Sequence, residues 1–303
     1  MKKLAAILII ITVFGCKKVK KTTHEKLNVV TTTTMITDLV SNIAGDLVNI
    51  EGLMGSGVDP HLFKASAGDV TKLSEADVIF YNGLHLEGKL VEVFEKMQSQ
   101  NINTKAIGEI IDTNTLIGSE YFQSNYDPHI WFNIDYWMQA TNYVVDELAL
   151  MLPEHKEQLR QNGDAYLDQL KQLQASITST IETLAPEKRI LVTAHDAFNY
   201  FGKSYDFEVV GLQGLSTATE AGVQDVQKLA AFIIEKQIKA IFVESSVPKR
   251  TIEALKEAVN AKGHNVVIGG TLYSDALGSA NTPEGTYIGM FTYNVKTIVE
   301  ALQ

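Results

Sequence analysis

Residues 153–184 constrain this chain more than any other stretch. Leu159, Tyr166, Leu170, Leu173, Ile177, Ile181 and Leu184 recur at steps of 7, 4, 3, 4, 4 and 3, which traces one face of an α-helix. Pro153 suits a first helical position, Glu154 and Glu157 suit the positive end, and Pro186 stops the run. At 1.5 Å per residue, about 30 residues reach roughly 45 Å, the height of a mid-sized protein. A helix of that length is a stiff strut. Two halves joined by it can hold something between them but cannot swing far apart. The alternative is one more helix packed inside a single domain.

On both sides of the strut, strand-like and helix-like stretches alternate. Residues 27–34 are rich in β-branched side chains and read as a strand buried in a parallel sheet, followed by a helix over 35–44 and a strand over 48–54. Two glycines and a proline make 55–61 a loop; further strands are expected at 77–81 and 106–111. Beyond the strut, strands are expected at 189–194, 207–212, 240–243 and 265–268, with 269–278 a loop and 287–302 a closing helix. The expected fold is α/β: two lobes with mostly parallel sheets flanked by helices, joined by one long rigid helix. The division is 27–152 for the first lobe, 153–186 for the connecting helix and 187–303 for the second lobe. Such sheets place ligands at the C-terminal ends of their strands, and His61, His195 and Asp275 all follow strands in this reading.

The 303 residues are 45% apolar and 20% charged, as expected of a globular protein of two lobes. A net charge of −10, with basic residues clustered only at Lys17, Lys18, Lys20 and Lys21, argues against nucleic acid as a partner. No stretch after residue 16 is apolar for the roughly 18 residues that a membrane span needs. The N-terminus is more telling. Lys2 and Lys3 precede an apolar core over 4–14, the layout of a secretory signal. Cys16, the only cysteine, follows Gly15 directly after that core and resembles the lipid-modified cysteine of a bacterial lipobox. Val13 stands where that pattern has leucine, and Phe14 departs from its small residue. The alternative is ordinary secretion with a chance cysteine. Residues 1–15 are therefore expected to be a lipoprotein signal peptide, Cys16 the lipid anchor, and 16–26 a solvated tether.

Two of the seven histidines share a tripeptide, Asp59-Pro60-His61 and Asp127-Pro128-His129. Proline fixes the backbone before each imidazole, and each aspartate could accept from the ring nitrogen that does not bind metal. One Asp-Pro-His is a common turn; two in the connections of one lobe point to ligands. His195 caps a buried strand in Thr193-Ala194-His195-Asp196, where a hydrogen-bonded core histidine is the bland alternative. Asp275, in Tyr273-Ser274-Asp275-Ala276, would on its own read as a helix cap or turn residue. Three imidazoles and one carboxylate without sulfur suit Zn²⁺ or Mn²⁺, and Fe²⁺ less securely.

These motifs resemble those of the bacterial metal-binding lipoproteins, the solute-binding subunits of zinc and manganese ABC importers. The resemblance runs from about Leu27 to the end. It rests on Asp59-Pro60-His61, Asn82-Gly83-Leu84-His85-Leu86-Glu87, Asp127-Pro128-His129-Ile130-Trp131, Thr193-Ala194-His195-Asp196-Ala197-Phe198 and Tyr273-Ser274-Asp275-Ala276-Leu277, with Glu220 in the Ser216-Thr217…Glu220 loop. It implies that His61, His129, His195 and Asp275 hold one metal ion per chain at the seam between lobes. It also implies delivery to a membrane permease powered by a separate ATPase, a monomer held to the membrane through Cys16, and a place in the cell envelope facing the periplasm or the exterior. Histidine at 195 leans towards zinc or a dual site, while the absence of a His-rich loop between His61 and His129 argues against a specialised zinc scavenger. His85 and Glu87 are expected to be structural or at a partner surface, and His24, His155 and His264 to be solvated.

Two rival classes remain at this stage. Three histidines with an open position also describe catalytic zinc, so a zinc-dependent hydrolase on the envelope is one alternative, with Glu220 and Glu244 as the carboxylates to test. Against it, the chain has neither a His-Glu-x-x-His helix nor a Gly-x-Ser-x-Gly elbow, and no enzymatic activity is expected. A surface adhesin is the other alternative, and nothing independent in the sequence supports it.

Overall fold

The computed structural model describes residues 26–119, 122 and 126–303. The signal peptide, Cys16, His24 and all of the tether except Lys26 lie outside the described residues. In the first lobe, β1 (Leu27–Thr31), β2 (Val48–Gly52), β3 (Val78–Tyr81) and β4 (Asn103–Ala106) form a sheet in the order β2-β1-β3-β4, parallel throughout. The intervening helices are α1 (Thr34–Ala44), α2 (Ala67–Glu75) and α3 (Val91–Ser99), and α4 (Ile134–Met151) closes the lobe. In the second lobe, β5 (Ile190–His195) pairs with β6 (Glu208–Gln213) and β7 (Ala240–Glu244) with β8 (Val267–Leu272), both in parallel. β5 and β7 lie side by side. Helices α6 (Asn199–Tyr205), α7 (Val223–Glu235), α8 (Arg250–Asn260) and α9 (Tyr287–Leu302) complete the lobe. Among the described residues no helix is long and apolar enough to cross a membrane.

Between the lobes runs α5 (Lys156–Glu182), entered through a single 3-10 turn at Pro153–His155. All seven residues of the periodic stripe are buried. They pack against α1 and α4 of the first lobe and α9 of the second, in one apolar cluster that runs through both. Trp137 of α4 stacks on Tyr287 of α9 at 5.0 Å between centroids, and its Nε1 donates to Tyr166 of α5 at 3.4 Å. One tightly packed group thus pins strut and lobes together. Truncating Leu170 to alanine would cost about 2–5 kcal/mol.

Two expected strands sit elsewhere. The fourth was expected over 106–111, but β4 ends at Ala106. Ile107 donates one more backbone bond to Tyr81 and Gly108 to Asn82, and the chain then turns. Ile107 and Ile111 are buried by packing rather than by pairing, which gave the stretch its strand-like look. The last strand was expected to stop at 268, yet β8 runs on to Leu272 through Gly269 and Gly270. A Cβ on Gly269 would lie 2.7 Å from Ala301 Cβ, and one on Gly270 would lie 2.4 Å from Thr297 Cγ2. The pair marks where α9 rests on the strand, not a turn.

Candidate metal centre

The four residues nominated from the sequence converge at the C-terminal ends of the strands. His61 lies in the loop after β2, His129 just before the 3-10 turn Ile130–Phe132, His195 ends β5, and Asp275 follows β8. All four are buried, at 4%, 0%, 0% and 1% exposure, and a ligand atom from each lies within 4.8 Å of every other. His61 Nε2 is 3.3 Å from His129 Nε2 and 3.8 Å from Asp275 Oδ2. His129 Nε2 is 3.7 Å from Asp275 Oδ1, and His195 Nε2 is 3.2 Å from Asp275 Oδ2. A tetrahedral ion with bonds of 2.0–2.1 Å has ligand–ligand edges of about 3.3 Å, so these four spacings, from 3.2 to 3.8 Å, bring the side chains close to the distances that one divalent ion needs.

The local sequence explains how the rings are presented. In both Asp-Pro-His tripeptides the aspartate Oδ1 accepts from the histidine backbone N–H, at 2.8 Å for His61 and 2.9 Å for His129. This side-chain-closed turn fixes where each imidazole leaves the chain. Asp127 Oδ1 also lies 2.7 Å from His129 Nδ1, as expected, which directs Nε2 at the cluster. Asp59 departs from that expectation. Its Oδ2 instead accepts from the Thr217 hydroxyl in the second lobe. His195 is held by a residue the motifs did not single out for this purpose. Glu244, ending the neighbouring strand β7, places Oε2 2.6 Å from His195 Nδ1, and its Oε1 accepts from the His195 backbone N–H at 2.9 Å. A buried acid ending the apolar run Ala240–Val243 was the available signal. Glu220 is elsewhere, exposed and paired with Arg250 at 3.2 Å.

Trp131 ties the two lobes at the site. Its ring meets His129 edge-on, its Nε1 donates to Ser274 O at 3.0 Å, and Tyr287 OH donates to its carbonyl. Thr34 Oγ1 accepts from the Leu277 N–H at 2.8 Å, so Asp275 is fixed on both sides by residues of the first lobe or its neighbours. Glu87 is fully buried and accepts from Thr32 Oγ1, Asn82 N and Gly83 N; Asn82 Nδ2 in turn donates to Pro128 O. Its structural reading holds. His264, expected to be solvated, is half-buried, with Nε2 2.7 Å from Ile238 O. His155 is half-exposed beside Glu154.

The electrostatics suit a cation. Burial pushes the His61 imidazole down to about 3, with Asp275 opposing and His129 and His195 adding to the depression, so it is a neutral donor at pH 7. Burial also disfavours charge on His195, but Asp275 and Glu244 outweigh it and hold the ring well above its ordinary value. Burial raises the Asp275 carboxyl, yet His195, His129 and His61 hold it well below the usual carboxylate range. Neither Asp275 oxygen takes a hydrogen bond from a donor outside the cluster among the described residues. A dry carboxylate without such donors is expensive unless a cation faces it. A divalent ion there would supply that charge in place of a proton on His195.

The chain is similar to known proteins over most of its length. Residues 29–301 match the family model described as ZnuA, zinc-uptake complex component A, periplasmic. The zinc-binding protein TroA of Treponema pallidum (strain Nichols) is 50% identical over 274 residues, covering 90% of this chain and 88% of TroA. The manganese-binding lipoprotein MntA of Bacillus subtilis (strain 168) is 46% identical over 289 residues, covering 95% and 94%. The solved structure of the Treponema pallidum periplasmic zinc-binding protein TroA superposes with a TM-score of 0.89 at 49% identity, over 91% of this chain and 99% of that one.

Proposed function

The chain belongs to the ZnuA family of periplasmic zinc-uptake components, and from that premise we propose that His61, His129, His195 and Asp275 are the ligands of its transported ion. The protein is an extracytoplasmic solute-binding protein of a metal ABC importer, and it takes one Zn²⁺ or Mn²⁺ per chain. Its partners are the metal ion and the permease with its ATPase. One observation carries the ligand assignment: three imidazoles and a carboxylate, contributed by both lobes, meet in a buried cluster with their ligand atoms within 4.8 Å of one another and no competing donor on Asp275.

The same reading takes 27–152 and 187–303 as the lobes that grip the ion and 153–186 as the brace between them. It takes Cys16 as the lipid anchor, with 1–15 removed and 16–26 a tether, and the receptor as a monomer that performs no chemistry on its cargo. Glu244 supports that last point, since its carboxylate is occupied by His195 and is not free to act as a base. TroA is named for zinc and MntA for manganese, and this chain is close to both. Nitrogen-rich sites bind zinc more tightly than manganese in water, so affinity alone does not identify the cargo.

Titration of the metal-free protein with Zn²⁺ and Mn²⁺ should give one ion per chain and a large upward shift in Tm. Retention of stoichiometric binding by the His61→Ala/His129→Ala double variant would overturn the ligand assignment. Elemental analysis of protein taken from its native envelope without added metal identifies the cargo. Cys16→Ser should move the protein from the membrane to the soluble fraction, and continued membrane attachment would refute the anchor.

A further inference from the structure

His61 is not only a member of the cluster. Its outer edge lines a recess of about 430 Å³ that opens to solvent, and His85, Gly88, Phe122 and Ser216 line the same recess. The His85 and His61 rings flank one phenyl group: Phe122 lies 6.0 Å from the first and 6.5 Å from the second between centroids, edge-on to both. Two imidazoles thus share the mouth of the centre, and only one of them belongs to the buried set. The His85 ring is half-buried and makes no hydrogen bond among the described residues.

The turn that carries His85 is built at a cost. Leu84 and His85 both have positive φ, 50° and 62°, a region that asparagine, aspartate and histidine enter more readily than other side chains, so the cost of about 1–3 kcal/mol falls on Leu84. Glu87 holds the turn from inside through the Asn82 and Gly83 N–H groups. Gly88 makes room for the ring, since a Cβ there would lie 2.8 Å from His85 Nε2 and 3.0 Å from its Cδ2. The buried hydrogen bonds of Glu87 hold this turn and keep the His85 ring at the recess.

We propose that His85 is a transit ligand, an imidazole that binds the metal ion while it passes between solvent and His61. An ion leaving a dry four-ligand cluster must give up a donor before water can replace it. His85 supplies a donor at that moment, as it does for an ion arriving partly hydrated. A group that touches the ion only during passage stabilises neither the free nor the bound state. It therefore speeds capture and release by the same factor and leaves Kd unchanged.

This inference rests on the metal-capture reading, and stopped-flow capture and chelator-driven release of Zn²⁺ separate the two. His85→Asn and His85→Asp both tolerate the left-handed backbone, but only the aspartate offers a strong metal donor. His85→Asn should slow capture and release alike by about tenfold with Kd unchanged, and His85→Asp should recover most of the rate. Unaltered rates in His85→Asn would overturn the proposal. So would a weaker Kd from faster release alone, or equal slowing in both variants, which would mean that the ring only packs. Failure of the parent protein to bind Zn²⁺ would instead defeat the capture reading.

Discussion

Asp59-Pro60-His61 and Asp127-Pro128-His129 are one tripeptide used in two ways. Both begin with the same closed turn from aspartate to histidine N–H. There the likeness ends. Asp127 turns its carboxylate onto its own histidine ring and is locked by Asn199 Nδ2 on Oδ2, while Tyr200 OH donates to its backbone carbonyl. Asp59 gives its second oxygen to Thr217, so the His61 ring has no hold from its own aspartate. The short-range sequence dictates the turn; the distant neighbours decide what the second carboxylate oxygen does. His129 is therefore the ligand whose ring is clamped by its own aspartate, and His61, beside the recess, is the one that lacks that clamp.

The largest test of that contrast is removal of each ligand. His129→Ala should weaken metal binding by about a hundredfold or more, and His61→Ala by less, measured by competition with a chelator. An equal or greater loss at His61 would break the comparison. The aspartates come next. Asp127→Asn, which misdirects the ring it holds, should lower affinity about 10–100-fold, while Asp59→Asn should stay below tenfold. Thr217→Val removes one hydrogen bond, worth about 1 kcal/mol, and should raise the release rate about fivefold. Its effect should not add to that of Asp59→Asn but should add to that of Asp127→Asn. The smallest effect concerns a contact between lobes outside both tripeptides. Asp38 on α1 accepts from the Tyr287 N–H at 3.0 Å, and burial raises its carboxyl from 3.8 to about 6. The folded chain holds that proton more tightly than the unfolded one, so its stabilisation is present below about pH 4 and lost as pH rises through 6. Asp38→Asn should match the parent's Tm near pH 4 and exceed it by a few degrees at pH 7.5, with metal affinity unchanged.

Most of the architecture was legible in periodicity, because α5 buries an unbroken stripe and the parallel strands bury continuous apolar runs. The errors have a common physical cause. At Ile107 and Ile111 burial without pairing imitated a strand, and at Gly269 and Gly270 a strand made bare by the helix above it imitated a loop. The three histidines stood out because a repeated tripeptide and a strand-ending histidine are unusual on a chain with seven histidines, whereas Asp275, an ordinary turn residue by itself, came in only through the family resemblance. Their supports did not. Glu244 meets His195 across 49 positions, Thr217 meets Asp59 across 158, and Trp131 meets Ser274 across 143. Such pairings are set by how the sheets and lobes are laid together, and no local spacing encodes them.

The connecting helix has one more consequence. At 27 residues it measures about 40 Å, and it is clamped by α1, α4 and α9 along its length. A body braced in that manner cannot advertise its cargo by changing silhouette. A transporter choosing between full and empty carriers must instead feel small differences in the few loops around the cleft, and its own grip must supply the leverage that prises the ion free.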